Sequence, residues 1–457
     1  MLQAREQPGY TRQLTRPPRE GSGRRRSAVP RQSAAAVEET GEHAARLAWP
    51  TKLFLVSLFI PWLVTLGGTT FTVSRLVLLV LAAPLLIKWI KLAATSFKAT
   101  DGLLIGYVGW AALCLFFAHG ADEAMRSAGL LFAETLPPYM LARVYIRSLA
   151  DLRAVLKFLF YALCALAAFA VYESITGKNM VGNVFAMVLP TFPLETLEMR
   201  AGIWRAQSVF EHSIHLGVFA ASLLPFLLLL PQGKSMMMRV AGPAASLLAT
   251  FLSLSSGPIA VAAAQIVLVA WDRIARRNPY RWTIVLLGLA AIYVVLALAS
   301  KRSVVEIYIT YFTFSQQSSW YRMAIWTYTS ASVATHPWFG IGFADWARPN
   351  WMYSTIDIYW MVQAVRYGLP GAALLILAYL ASIVDAVRAR TFDPDIQLAR
   401  TAYVVSMVGF FIGGLTVHFW GAIGVYFMFM LGAGSWMSDA SRETVRIPRR
   451  TATAGGA

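Results

Sequence analysis

The chain has 457 residues, of which 57% are hydrophobic and 14% charged, with a formal net charge of +17 and a mean hydropathy of +0.56. Soluble domains carry roughly 45–50% apolar and about 25% charged residues, so this composition excludes a water-soluble enzyme and a disulfide-stapled secreted fold. It describes a polytopic membrane protein, and the positive charge does not imply nucleic acid as a partner.

A bilayer core of about 30 Å needs roughly 20 apolar residues per helix. In chain order, apolar runs predict twelve spans, near 53–68, 71–90, 102–118, 126–146, 154–175, 207–230, 237–254, 257–271, 282–299, 367–384, 401–417 and 420–437. The expected fold class is therefore all-α, a polytopic membrane protein of about twelve transmembrane helices. Residues 1–50, rich in Arg, Pro, Ser and Ala, read as a disordered basic tail able to touch anionic lipid. No apolar run closely follows Arg24-Arg25-Arg26, which argues against a cleaved signal peptide. Residues 51–437 form the transmembrane domain and 438–457 a second tail. The seventh and eighth spans are split only by Ser253 to Pro258 and could form a broken helix pair. Cys114 and Cys164 fall inside expected helices as packing residues.

With the N-terminus in the cytoplasm, 30 of the 40 basic residues lie inside and ten outside, while 13 of the 23 acidic residues lie inside. The inside excess equals the whole net charge, as the positive-inside rule requires. The expectation is a multi-pass membrane protein with both termini cytoplasmic.

Two outer connections are long, about 176–206 and 300–357, the second between helices 9 and 10. Long loops usually carry function. The second is dense in aromatics, among them Tyr308, Tyr311, Phe312, Phe314, Trp320, Tyr321, Trp326, Trp338, Phe343, Trp346, Trp351 and Tyr353. Interfacial belts account for part of this density; the rest suggests a lid over a membrane-level cavity, with ring faces suited to sugars.

Motif searches narrow the field. Gly340-Ile341-Gly342 lacks a third glycine, and there is no Walker A, zinc or nucleophile-elbow pattern. His212 and His215 lie three apart with one nearby carboxylate, Glu211, a poor metal set, so neither metal nor cofactor is expected. What remains is charge at the outer face, where ionisable groups near hydrocarbon default to functional candidates. Arg205 leads Arg205-Ala206-Gln207-Ser208-Val209-Phe210-Glu211-His212. Arg322 precedes His336-Pro337-Trp338-Phe339-Gly340-Ile341-Gly342. Asp357 is followed nine residues later by Arg366. Arg126 joins this outer set. Arginine forks suit phosphate or diphosphate, although any single one could merely snorkel.

From about 200 to 385 the chain resembles the O-antigen ligase and Wzy-type polysaccharide polymerase superfamily of bacterial inner-membrane glycosyltransferases. The likeness rests on RAQSVFEHSIHLG (205–217), RMAIWTYTSASVATHPWFGIGF (322–343) and DIYWMVQAVRYGLPG (357–371). Ligases of the superfamily commonly carry a His nine residues and one polar residue ahead of G-x-x-G; here that position holds Asp357, followed by Ile358. The resemblance implies transfer of a saccharide from undecaprenyl diphosphate to an acceptor hydroxyl. Repeat-unit polymerisation fits this departure better than ligation. Arg205 and Arg322 would stabilise the leaving diphosphate and Asp357 would be the base, unless it merely caps the next helix. Arg366, Glu211, His336 and Arg126 would complete the substrate site, with Glu211 and His336 as substitute bases. Expected partners are the lipid-linked oligosaccharide, membrane lipids and other polysaccharide assembly and chain-length proteins. A transporter or flippase for the same lipid-linked sugars is the competing class.

Overall fold

The computed structural model describes residues 47–440 except 193–197, 232–234, 301–305, 308–309, 311–315 and 390. The basic tail through residue 46, most of the C-terminal tail, and the aromatics Tyr308, Tyr311, Phe312 and Phe314 lie outside the described residues. The rest is helical, as expected. Eight described helices are long and apolar enough to cross a membrane, and two shorter apolar helices accompany them.

Helix α1 (Trp49–Ser57) is only nine residues long and is followed by an antiparallel hairpin, β1 (Leu63–Leu66) and β2 (Thr69–Thr72). This corrects the expected span at 53–68. Gly67 and Gly68 both adopt positive φ, +56° and +78°, the two-residue turn that closes a twisted hairpin. The β-branched Thr69, Thr70 and Thr72 suit the strand that follows. The hairpin is tied to the first long loop, where Leu63 N–H donates to the Pro190 carbonyl at 2.7 Å.

The next spans match their expected places: α2 (Val73–Ala93), α3 (Ala99–His119), α4 (Ala121–Tyr145) and α5 (Leu149–Thr176). A short α6 (Met180–Ala186) and a two-residue hairpin, β3 (Met199–Arg200) with β4 (Ile203–Trp204), occupy the first long loop. Then come α7 (Ser213–Leu229), α8 (Met236–Leu252), α9 (Ser256–Ile274) and α10 (Arg281–Ala299). Inside the second long loop lies α11 (Gln316–Thr335). The chain closes with α12 (Tyr359–Arg388), α13 (Pro394–Gly414) and α14 (Gly421–Gly432).

Helix α12 packs along α3, and α7 packs against α8, α9 and α13. Helix α7 is buried nearly all round, the pattern of a central helix. Helix α10 is the opposite, with no buried residue; its apolar surface suits lipid.

Helix α12 also begins earlier than the apolar run suggested, at Tyr359 rather than 367. Its first two turns carry Trp360, Gln363 and Arg366, which read as loop by hydropathy alone. They are held by α3: the Tyr107 hydroxyl donates to Gln363 Oε1 at 2.6 Å, and the Trp110 indole N–H donates to the Tyr367 carbonyl at 2.9 Å.

Candidate active site

The site is built on a break in α12. Gly368 takes φ +68° within the helix, and Pro370, lacking an N–H, cannot donate to the Arg366 carbonyl one turn earlier. Unpaired backbone groups at hydrocarbon depth cost several kcal/mol each. The Pro337-x-x-Gly340-x-Gly342 stretch supplies the missing bonds. Ile341 N–H donates to the Val365 carbonyl, Gly342 N–H to the Arg366 carbonyl (both 2.9 Å), and Leu369 N–H donates to the Pro337 carbonyl at 2.7 Å. Glycines permit this approach. A Cβ at Gly368 would sit 2.0 Å from the Trp338 carbonyl oxygen, and one at Gly340 would sit 2.5 Å from the Arg366 carbonyl carbon. The two motifs noted in the sequence are therefore one interlocked structure. His119, at the end of α3, completes it by accepting the Phe343 N–H at its Nε2, 2.8 Å away.

This interlock forms one wall of a cavity of about 680 Å³. Lining it are Phe343, Trp346, Asp357 and Arg366, joined by His212, His418 and Trp420 from the start of α7 and the α13–α14 link. Arg366 lies over the Phe343 ring, 4.9 Å from its centroid, a cation–π contact. Among the described residues no carboxylate pairs with it.

Asp357 lines the cavity and accepts no hydrogen bond from the described residues. The helix start belongs to Ile358, with no side-chain cap, so Asp357 is not the cap that sequence alone allowed. Burial raises its pKa above the usual carboxylate value, and nearby Arg322 opposes that rise. Arg322 is half-buried on α11 and is not part of the lining.

Arg205 is buried and committed to protein partners. It donates to the Ser253 carbonyl at 3.2 Å, to Ser255 Oγ at 2.9 Å and to Glu198 at 2.9 Å. With Arg200, which donates to the Leu254 carbonyl, it pins the turn between α8 and α9, where Leu254 adopts φ +46°. The expected broken pair is thus two antiparallel helices joined by an arginine-clamped turn, and Arg205 does not line the cavity. Glu211 stands behind Trp420 rather than in the lining: a Cβ on Gly421 would meet its Oε1 at 2.1 Å. Burial pushes its pKa up to about 7, against Trp420 and Arg75. His336 is exposed at the end of α11, its Nδ1 3.0 Å from Thr335 Oγ1. Arg126 is exposed on α4. Neither is brought to the cavity.

Most loop aromatics hold the loop itself. Trp320 stacks on Trp351 at 4.9 Å, Phe339 stacks on Trp110 of α3 at 5.3 Å, and the Tyr321 hydroxyl accepts the Tyr353 N–H. Only Phe343 and Trp346 of the aromatics named above reach the lining. Sequence reasoning missed His418 and Trp420. A histidine in an otherwise apolar C-terminal region was the available signal. Burial lowers the His212 pKa to about 4 and that of His418 to about 3, with Arg205 and Arg366 respectively adding to the effect. Both imidazoles are thus neutral near pH 7. His212 and His215 ring centroids are 6.3 Å apart, and among the described residues no three His, Cys, Asp or Glu side chains converge on a metal site.

The described residues form a helical bundle of the membrane-protein class with a polar cavity beside an interlocked loop. The family match is narrower: residues 241–376 match the model described as O-antigen ligase, a likeness confined to that stretch. No curated protein matches the chain. The matched stretch holds the interlock, Asp357 and Arg366, whereas His212, His418 and Trp420 fall outside it.

Proposed function

We propose that the protein polymerises undecaprenyl-diphosphate-linked oligosaccharide repeats into a surface polysaccharide at the outer face of the inner membrane. One observation carries this reading: Asp357, which accepts no hydrogen bond from the described residues, shares a cavity with the cation Arg366, which has no carboxylate partner among them. The acceptor hydroxyl oxygen attacks the anomeric carbon of the donor. The bond from that carbon to the diphosphate oxygen breaks, and the hydroxyl proton passes to Asp357. A carboxylate whose pKa is raised toward neutrality is the better base. Negative charge grows on the departing diphosphate, where Arg366, already held over Phe343, stabilises it. Arg322 holds the field around Asp357, and Arg205 secures the helix turn through its protein partners. Neither metal nor cofactor is assigned a step.

Ligation remains the second reading, because the matched family is described by that activity. The aspartate in place of histidine at position 357 favours polymerisation. Cells lacking the gene separate the readings. Single lipid-linked repeats exposed outside support polymerisation, while full-length polymer retained on the lipid indicates ligation. Repeats trapped inside indicate a flippase. In complemented cells Asp357→Asn should abolish polymer with the protein still in the membrane, a loss of about 10²–10⁴-fold in transfer. Unchanged chain length would sink the assignment of the base.

A further inference from the structure

The cavity has a second wall that the reaction above does not use. Trp420 lies in the link between α13 and α14 and keeps 36% of its surface exposed, while its other contacts are fixed. Its ring meets His215 edge-on at 4.0 Å between centroids, and His418 sits 5.6 Å away. Glu211 crowds the adjoining Gly421 from behind. A tryptophan of an interfacial belt would point at headgroups; this one faces a protein cavity that His212, 6.2 Å away, and His418 also line.

Those imidazoles offer hydrogen bonds rather than charge. His212 accepts the Ile214 N–H at Nδ1, 3.0 Å away. His418 Nδ1 is buried with no hydrogen-bond partner among the described residues, although its ring borders the cavity. A buried polar atom without a partner is costly and signals a ligand group that completes it. An open aromatic face flanked by neutral donors and acceptors matches the two surfaces of a sugar ring, its apolar C–H face and its hydroxyl edge. It does not match a diphosphate, which calls for a cation such as Arg366.

We propose that Trp420, His212 and His418 form the acceptor-saccharide subsite, with the sugar ring stacked on the Trp420 indole beside the imidazoles and a hydroxyl bonded to His418. Glu211 and His215 are positioning residues for the indole. The assignment rests on the glycosyl-transfer reading and deepens it: the two walls divide the two substrates between them. All three residues lie outside the family-matched stretch, so acceptor choice is set by parts of the chain that the shared domain does not include.

The test uses the full-length protein in lipid nanodiscs. The probe is the radiolabelled, lipid-free repeat oligosaccharide that mild acid releases from the host strain's lipid-linked donor. Trp420→Ala should raise the acceptor KM about tenfold or more, a loss of about 1.4 kcal/mol, with the donor KM unchanged. Trp420→Phe should stay close to wild type because a ring face remains. His418→Phe should raise the acceptor KM while leaving bundle stability intact. An unchanged acceptor KM in Trp420→Ala, or equal rises for donor and acceptor, overturns the subsite. Probe retention by equilibrium dialysis, with no donor present, decides the matter apart from turnover: retention lost in Trp420→Ala supports the subsite, and equal retention overturns it. A wild type that binds the probe but transfers to no acceptor sinks the glycosyl-transfer reading and leaves the binding wall standing.

Discussion

Lys98 and Arg366 sit at opposite ends of the α3–α12 pair, about 30 Å apart along a 21-residue helix, and meet opposite surroundings. Lys98 bonds Asp439 at 2.7 Å and Asp385 at 3.3 Å. Beside it the fully buried Arg143 pairs with Asp439 at 3.2 Å and lies 3.8 Å from Asp101. Asp101 in turn accepts from Tyr139 and Trp89. Here buried charge cancels against buried charge, and the helices α3, α4 and α12 and the segment after α14 are tied together. Around Arg366 the cation faces a ring and open volume, Asp357 has no donor and His418 Nδ1 has none either. Charges that satisfy one another hold a fold; charges left unsatisfied at a cavity are available to a substrate.

That contrast can be broken experimentally. The largest effect falls on the paired end: Arg143→Met leaves Asp101 without its buried cation and Asp439 with one fewer, and should cost about 3–5 kcal/mol of stability, seen as lost folded yield and a lowered Tm in detergent. Arg366→Ala should reverse the profile, with Tm little changed and kcat down about 10²–10³-fold. If the two variants behaved alike, the division between structural and functional charge would fail. Arg205→Ala tests a cation at the cavity end of the bundle that is spent on protein. It should cost about 1–3 kcal/mol of stability while transfer per folded molecule stays within a few-fold. The smallest effect concerns Glu211. Its pKa rises from 4.5 to about 7 on folding, so the folded state binds the extra proton between those values. Its share of stability is therefore full below about pH 4.5 and lost as pH rises to about 7. His212 and His418, whose pKa values fall on folding, work in the opposite direction over part of that range. The measurement is thus the Tm of wild type against Glu211→Gln, which mimics the protonated carboxyl: the two should be close near pH 4.5, with wild type falling below the variant as pH rises to about 7 and the gap then levelling off.

Membrane spans were legible because length and hydropathy suffice for them, and eleven of the twelve expected runs are helices. The exception, 53–68, is apolar enough but contains Gly67-Gly68, and the local turn overrode the hydrophobic run. Asp357 and Arg366 were legible as ionisable residues beside apolar segments. The partners of Arg205 come from the β3–β4 hairpin and from the α8–α9 turn, and no spacing rule brings those together. Trp420 looked like the first residue of a span, and His418 fell in the gap between the expected spans 401–417 and 420–437. Only the packing of α7 against α13 and the short link after it turned them into a cavity wall.

The contacts joining the Pro337–Gly342 stretch to the Val365–Leu369 break run almost wholly through main-chain atoms. Such a joint reads no side chains, so it tolerates any cargo strung beyond it. The segment from Ala344 to Ile356 can therefore be exchanged like a cartridge, altering what the cavity accepts while Arg366 stays aimed over Phe343. Chimeras cut after Phe343 and before Asp357 should fold, and they offer a way to re-target the enzyme without redesigning its frame.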